Sequence, residues 1–229
     1  MDGGYVVNGS KTFITNGVRA DYVVTAVTTT AEGGHSGLSF LLLESDMDGF
    51  SVSKKLDKMG WRASDTAELA FSDVFVPDEN LLGEENRGFY LIVANFQWER
   101  LLMALGAVGS MRATLERVIA ILGERGCSQS VRHTVAEHAV RAESGAALTY
   151  HALRRFLDGG DAVREVTMAK LATQRANFEL QDACYGMLAD IGHEDAHDLS
   201  RAARDARLGP IGGGTDEIMR EILAKQLGL

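Results

Sequence analysis

Cysteine is scarce in this sequence. Cys127 and Cys184 are the only two among 229 residues. Two thiols cannot build the bridged framework of a small secreted domain, so a reducing, cytoplasmic setting is expected. Proline is equally rare. Pro77 and Pro210 stand alone, and long regular elements can run uninterrupted between them. Positive charge is in deficit, with 23 Lys and Arg against 32 Asp and Glu and a net charge of -9. That argues against a nucleic-acid partner, whose phosphates require a basic face. Apolar runs are broken by charge before they reach about 18 residues, so no membrane span is expected. The opening Met1-Asp2-Gly3-Gly4 has neither the basic nor the apolar stretch of a secretory signal. The remainder, 45% hydrophobic and 24% charged, is ordinary for one or two globular domains with an unstapled core.

Two regions read differently. Residues 1–84 read as strands. Tyr5-Val6-Val7 precedes Asn8-Gly9, a type I′ hairpin signal, and Lys11 to Thr15 follows. Asn16-Gly17 marks a further turn. Tyr22 to Thr30, Leu38 to Glu44, Phe50 to Val52 and Glu68 to Val76 are strand-like, with turn residues between them. After Pro77, residues 85–229 read as helices over Gly88–Gly123, Ser130–Leu157, Asp161–Ile191, Asp195–Leu208 and Thr215–Gln226. The expected class is α+β: a partial antiparallel β-barrel or sheet, then an antiparallel four-helix-type bundle. So few strands leave an open sheet edge, expected to be covered by a partner or by further chain.

Three constellations could carry chemistry. His193-Glu194-Asp195-Ala196-His197 fits the zinc pattern H-E-x-x-H, with Glu217 as a possible third ligand. The match is short, Gly192 interrupts the helix, and acidic residues crowd the ligands. A polar helix start on the surface is the plainer reading, and no metal site is assigned. Gly212-Gly213-Gly214-Thr215 is a glycine turn before a helix, with Thr215 as natural N-cap; it lacks the features of a P-loop or dinucleotide fingerprint. Glu99, Leu102, Met103 and Gly106 share a helix face by i, i+3, i+4, i+7 spacing. A carboxylate there is either a partly desolvated base or half of a surface Glu99-Arg100 pair. Cys127, Cys184, His133 and His138 suggest no chemistry.

Together these segments resemble the acyl-CoA dehydrogenase family. Tyr5 through Gly17 resembles its Y-x-L-N-G-x-K-x-W-I-T-N-G segment, and Leu56 through Thr66 its K-L-G-x-R-x-S-x-T segment. Val76-Pro77 through Gly88-Phe89 is similar to the entry to its C-terminal bundle. Arg204-Asp205-Ala206-Arg207 and Gly214 through Ile218 are similar to its close. The resemblance implies FAD-dependent α,β-dehydrogenation of an acyl-CoA or acyl-carrier thioester. It also implies an electron-transfer flavoprotein-like acceptor and a homo- or hetero-oligomer, as a dimer or tetramer. Many members carry the base directly before the final G-T, where this chain has Gly213. A long-chain and isovaleryl-like subgroup carries it before an Arg on the first bundle helix, which implies Glu99. By the same resemblance Phe13, Ile14, Thr15, Arg125, Thr215 and Glu217 bind FAD. Arg100, Gly213 and Gly214 shape the acyl-CoA end.

Some of the pattern is absent. The family's N-terminal domain and its T-E-x-x-x-G-S segment are not in the sequence. Arg125-Gly126-Cys127-Ser128-Gln129 replaces R-K-x-F-G, and Gly186 to Asp190 replaces Q-x-x-G-G. Three expectations therefore stand: a dehydrogenase using Glu99, a non-catalytic or half-site partner of a complete homologue, and, last, a zinc hydrolase.

Overall fold

The computed structural model describes residues 3–190, 192, 194 and 196–229. It forms two compact units, Met1–Ala94 and Asn95–Leu229.

The first unit is built from β1 (Gly4–Thr15), β2 (Tyr22–Thr28), β3 (Leu38–Glu44), β4 (Phe50–Lys55), β5 (Thr66–Pro77) and β6 (Leu81–Leu82). They pair antiparallel as two sheets of three strands, β1-β5-β4 and β2-β3-β6. One core lies between them. Period-two alternation sends Leu41 and Leu43 of β3, and Ala67, Leu69 and Phe71 of β5, to the same interior. After Phe71 the inward phase shifts to Val74 and Val76.

That phase shift corrects the hairpin expected at Asn8-Gly9. β1 runs through those residues as a single strand, and Val7 pairs Val74 while Gly9 pairs Phe71. Asn8 alone therefore stands opposite Ser72 and Asp73, which is a β-bulge. The Asn8 amide donates from Nδ2 to Asp73 Oδ1, and the Asp73 backbone N–H donates to Asn8 Oδ1, each at 2.9 Å. The side chain that would have closed a turn instead clamps the bulge, and Asp73 takes the left-handed φ of 52°. The second turn forms as expected, with Asn16 at φ 62°.

The helices are α1 (Gly88–Arg125), α2 (Gln129–Leu157), α3 (Val163–Asp190), α4 (Ala196–Ala206) and α5 (Asp216–Gln226). Ser128 caps α2 and Thr215 caps α5, each hydroxyl accepting from the backbone N–H three residues on. In the second unit Met111, Leu115 and Val118 of α1 meet Ala142 and Ala146 of α2, Leu180 and Cys184 of α3 and Leu199 of α4. Leu101 and Ala104 meet Ala152, Val166 and Ala169 in a smaller cluster. A buried polar knot sets the register of α3 on α1. Gln181 Nε2 donates to Ser110 Oγ, Thr114 Oγ1 and Asn177 Oδ1 at 2.9–3.1 Å.

The helix limits and the α+β class agree with the sequence reading. The reading of apolar runs needs one amendment, because α1 is long and apolar enough by composition to cross a membrane. Its Leu101, Ala104, Met111 and Val118 are buried against α2 and α3, as in a bundle helix.

Candidate active site

The candidate residues fall into two groups, one in each unit. In the sheet unit, Phe13 lies near the end of β1 with φ 62° and 76% of its surface exposed. A bulky residue rarely takes that backbone conformation, and such strain is held where a surface has work to do. Ile14 pairs Ala67 and Thr15 pairs Thr66, so the ladder resumes directly after the irregular stretch. Thr15 is exposed. This end of the sheet is pinned by the Asp65 carboxylate, which accepts from the Val18 N–H at 2.9 Å and from Arg19 Nε. The Val18 N–H, then Arg19, hold the Asp65 carboxyl below its ordinary range against the opposing cost of burial.

In the helical unit the glycine turn is held by two cations. Arg100, on α1, is buried and donates from Nε to the Gly213 carbonyl at 2.9 Å. Lys170, on α3, is fully buried and donates from Nζ to the Gly214 carbonyl at 2.6 Å. The Lys170 ammonium also lies 4.0 Å from Asp216 Oδ1, and Arg175 Nε lies 3.6 Å from Asp216 Oδ2. Asp216 is buried at the first position of α5, where a negative charge suits the helix dipole. Burial pushes both cations below their ordinary pKa values; Glu99 opposes the shift for Arg100, and Asp216 opposes it for Lys170.

Gly213 also abuts α1 through Met103. A Cβ on Gly213 would fall 2.6 Å from Met103 Sδ, and its φ is +63°. A side chain at the position before the final G-T would need both a left-handed backbone and a shift of Met103. Glu99 is half-buried, next to Arg100 and one helical turn before Met103. The structure therefore brings Glu99, Arg100, Gly213 and Gly214 onto one turn of α1 and the loop against it. Thr215 and Glu217 follow on the same loop and helix. The backbone N–H of Glu217, then the Thr215 hydroxyl, lower the pKa of the exposed Glu217 carboxyl.

Arg125 is not part of this cluster. It ends α1, 25 residues beyond Arg100, roughly 38 Å along the helix axis at 1.5 Å per residue. The His193-to-His197 pattern lies partly outside the described residues, because His193 and Asp195 are not among them. Among the described residues no three His, Cys, Asp or Glu side chains gather as a metal site.

Sequence reasoning missed Lys170 and Asp216, and placed Met103 on the face of Glu99 without a part at the glycine turn. A signal for Lys170 was present: Val166, Lys170, Thr173 and Asn177 are spaced as one buried stripe of α3, and a lysine in such a stripe needs a partner.

Two family models match the chain: acyl-CoA dehydrogenase, middle domain, over residues 1–74, and acyl-CoA dehydrogenase, C-terminal domain, over residues 86–228. The mitochondrial isovaleryl-CoA dehydrogenase of Oryza sativa subsp. japonica is 36% identical over 240 residues, covering 99% of this chain and 57% of that protein. The mitochondrial long-chain specific acyl-CoA dehydrogenase of Mus musculus is 37% identical over 237 residues, covering 97% of this chain and 54% of that protein. A solved structure of a probable acyl-CoA dehydrogenase from Mycobacterium abscessus superposes with TM-score 0.93 at 42% identity, over 100% of this chain and 62% of the other. The chain thus spans a little over half the length of the curated relatives it matches.

Proposed function

This chain belongs to the acyl-CoA dehydrogenase family, and from that premise we propose that the protein oxidises an acyl-CoA thioester to its trans-2-enoyl form, with Glu99 as the base. The observation that carries this reading is the packing of Gly213 against the α1 turn that bears Glu99. Met103 fills the space a base at position 213 would need, and Arg100 grips the Gly213 carbonyl. The carboxylate on that turn of α1 is Glu99.

The sheet unit carries groups suited to a flavin. Phe13 offers an exposed aromatic face held in a strained backbone, and Thr15 offers an exposed hydroxyl close by in sequence. An aromatic face and a hydroxyl donor fit a flat heteroaromatic ring. Phe13, Ile14 and Thr15 are the FAD contacts we assign to the sheet unit, and Thr215 and Glu217 those we assign to the helical unit; Arg125, far along α1 from that turn, would contact the FAD of another subunit. FAD, when bound, would supply the two-electron oxidant for the hydride equivalent lost from the β-carbon. Glu99 removes the proton from the α-carbon, and the electron pair left behind forms the new double bond. The carbon acid is weak, so the thioester oxygen must be stabilised as charge moves onto it. The backbone of the Gly213-Gly214 turn is suited to that task.

We assign the electron acceptor to the electron-transfer flavoprotein type and the assembly to an oligomer. The thiols Cys127 and Cys184 are free, which supports a reducing compartment such as the cytoplasm. The test is the protein with added FAD, an artificial electron acceptor and a panel of straight and branched acyl-CoAs, with enoyl-CoA read by mass spectrometry. Enoyl product is expected, and Glu99→Gln should lower turnover by about 10²- to 10⁴-fold, the range of a general base. No enoyl product from any acyl-CoA, or unchanged turnover in Glu99→Gln, overturns the proposal.

A further inference from the structure

We propose that Gln174 is a positioning residue for the base: its amide is wedged between the α1 turn that carries Glu99 and the loop that leads into the glycine turn, and it sets the distance between them. The inference rests on the acyl-thioester reading above, with Glu99 as base, and goes beyond it by giving α3 a part in placing that base.

Gln174 lies on α3 and is buried. Its Nε2 donates to the Met103 carbonyl of α1 at 2.6 Å. By helix geometry that carbonyl already accepts the N–H of Ala107, and the Met103 N–H is bonded in turn to the Glu99 carbonyl. The bond from Gln174 therefore rescues no stranded helix group. It adds a second donor at one place on α1, one helical turn past Glu99. A donor from outside the helix draws such a carbonyl toward itself and fixes where that turn sits. An apolar side chain of similar length would fill the same space without the cost of desolvating an amide.

On its other side the amide abuts Gly209. A Cβ on Gly209 would collide with Gln174 Oε1 and lie 3.1 Å from Gln174 Cδ, whereas the next atom, the Ala206 carbonyl oxygen, would be 3.3 Å away. Gly209 is buried and is not among the glycines with positive φ, so its backbone does not call for glycine. What is missing there is room beside Gln174. The carbonyls of Leu208 and Pro210, which flank Gly209, accept the N–H groups of Gly212 at 2.8 Å and Asp216 at 2.9 Å. The stretch from Leu208 to Asp216 is thereby tied to the glycine turn. One amide thus holds α1 by a hydrogen bond and the loop by contact.

Proton abstraction is steep in distance. A base must come within about 3–3.5 Å of the atom it attacks, and a misplacement of about 1 Å costs about 10²-fold. A hydrogen bond is directional, so a packed amide holds a helical turn more narrowly than apolar contact does.

The test separates proton abstraction from oxidation and from folding. The probe is 3,3-dimethylbutanoyl-CoA, whose β-carbon carries no hydrogen and which therefore cannot be dehydrogenated. In D2O the wild-type protein with FAD should exchange the α-protons of the probe, read by mass spectrometry over a range of probe concentrations. Gln174→Met keeps most of the side-chain length and removes the donor. It should lower the maximal exchange rate about tenfold or more, with half-saturation, flavin content and melting temperature little changed, because no helix carbonyl loses its last partner. Gly209→Ala, which pushes the amide from the other side, should also slow exchange, and should cost little further in a Gln174→Ala background, where the colliding amide is gone. A purely space-filling Gln174 predicts instead that exchange follows melting temperature and flavin content. Equal maximal exchange in wild type and Gln174→Met overturns the inference and leaves the dehydrogenase reading standing, because Glu99→Gln tests that reading separately. No exchange in the wild type, under conditions where the probe binds, overturns both. Where Gln174→Met does not fold, the Gly209→Ala comparison decides, and equal losses in the wild-type and Gln174→Ala backgrounds overturn the wedge.

Discussion

The sheet unit and the helical unit hold their candidate residues in opposite ways. The sheet unit buries an apolar core and displays its candidates at the surface, where Phe13 and Thr15 are exposed. The helical unit buries the charges that hold its glycine turn: Arg100, Lys170 and Asp216 lie inside, paired with backbone and with one another, while Glu217 and Arg125 stay exposed. Backbone strain follows the same division. Phe13, Asn16, Trp61, Asp73 and Asn86 take positive φ in the sheet unit, whereas among described residues of the helical unit only glycines do so. One unit stores its specialisation in backbone conformation, and the other in buried charge. A strained surface presents a flat face without needing a partner. A buried charge needs partners, and its partners then fix a loop.

The largest structural effect expected from this contrast is at Gly213. Gly213→Ala forces a Cβ into φ +63° and against Met103 Sδ. It should destabilise the helical unit by about 2–4 kcal/mol, combining a left-handed backbone penalty with overpacking. Met103→Ala in the same chain should restore part of the loss, read by thermal melting. A melting temperature that does not move in the single variant would break the claim that a side chain at position 213 strains this turn.

A smaller effect of opposite sign is expected at Phe13. Phe13→Gly relieves the left-handed strain but gives up strand order, so stability should stay level or rise by up to ~1 kcal/mol. FAD affinity should fall by about tenfold, read by flavin fluorescence titration. A clear loss of stability would mean that the exposed ring is packed, and would end the division drawn above.

The finest test is in acid. His138 of α2 is buried with its Nδ1 unpartnered. Burial, then Arg141, hold its pKa below the ordinary imidazole value, with Glu137 and Glu179 opposing. As pH falls through about 6.5 the unfolded chain gains a proton that the folded chain refuses, so the helical unit loses stability from there downward. Asp65 in the sheet unit is shifted below the ordinary carboxylate value, so its contribution is intact above about pH 4 and is lost as pH falls through the lower folded value. Amide protection factors, corrected for the intrinsic exchange rate at each pH and taken separately for residues 3–94 and 95–229, should therefore fall first in the helical unit between pH 7 and 5. His138→Gln should remove that early fall. Simultaneous loosening of both units would show that their acid responses are not separable.

Much of the fold was legible because its signals are local. The five helices follow from apolar period, capping hydroxyls at Ser128 and Thr215, and the scarcity of proline. The misread element, β1, shows the limit of local signals. Asn8-Gly9 has the composition of a turn, but Asp73, 65 residues away, engages the Asn8 amide and turns a hairpin signal into a bulge. At the site, Glu99, Arg100 and the glycine turn were legible from spacing and motif. Lys170 was not read, because a lone lysine in a helix has no distinguishing motif until its burial is known.

The sequence by itself determined where the helices start and stop and which family the chain resembles. These depend on neighbours within a few residues, through dihedral preference, capping and period. Only the tertiary structure decided that Met103 fills the space over Gly213, that Asn8 clamps a bulge, and that cations from two helices seize adjacent carbonyls. Those contacts join residues 44 to 113 positions apart. No local preference encodes them, because a buried polar group takes whichever partner the packing brings within reach.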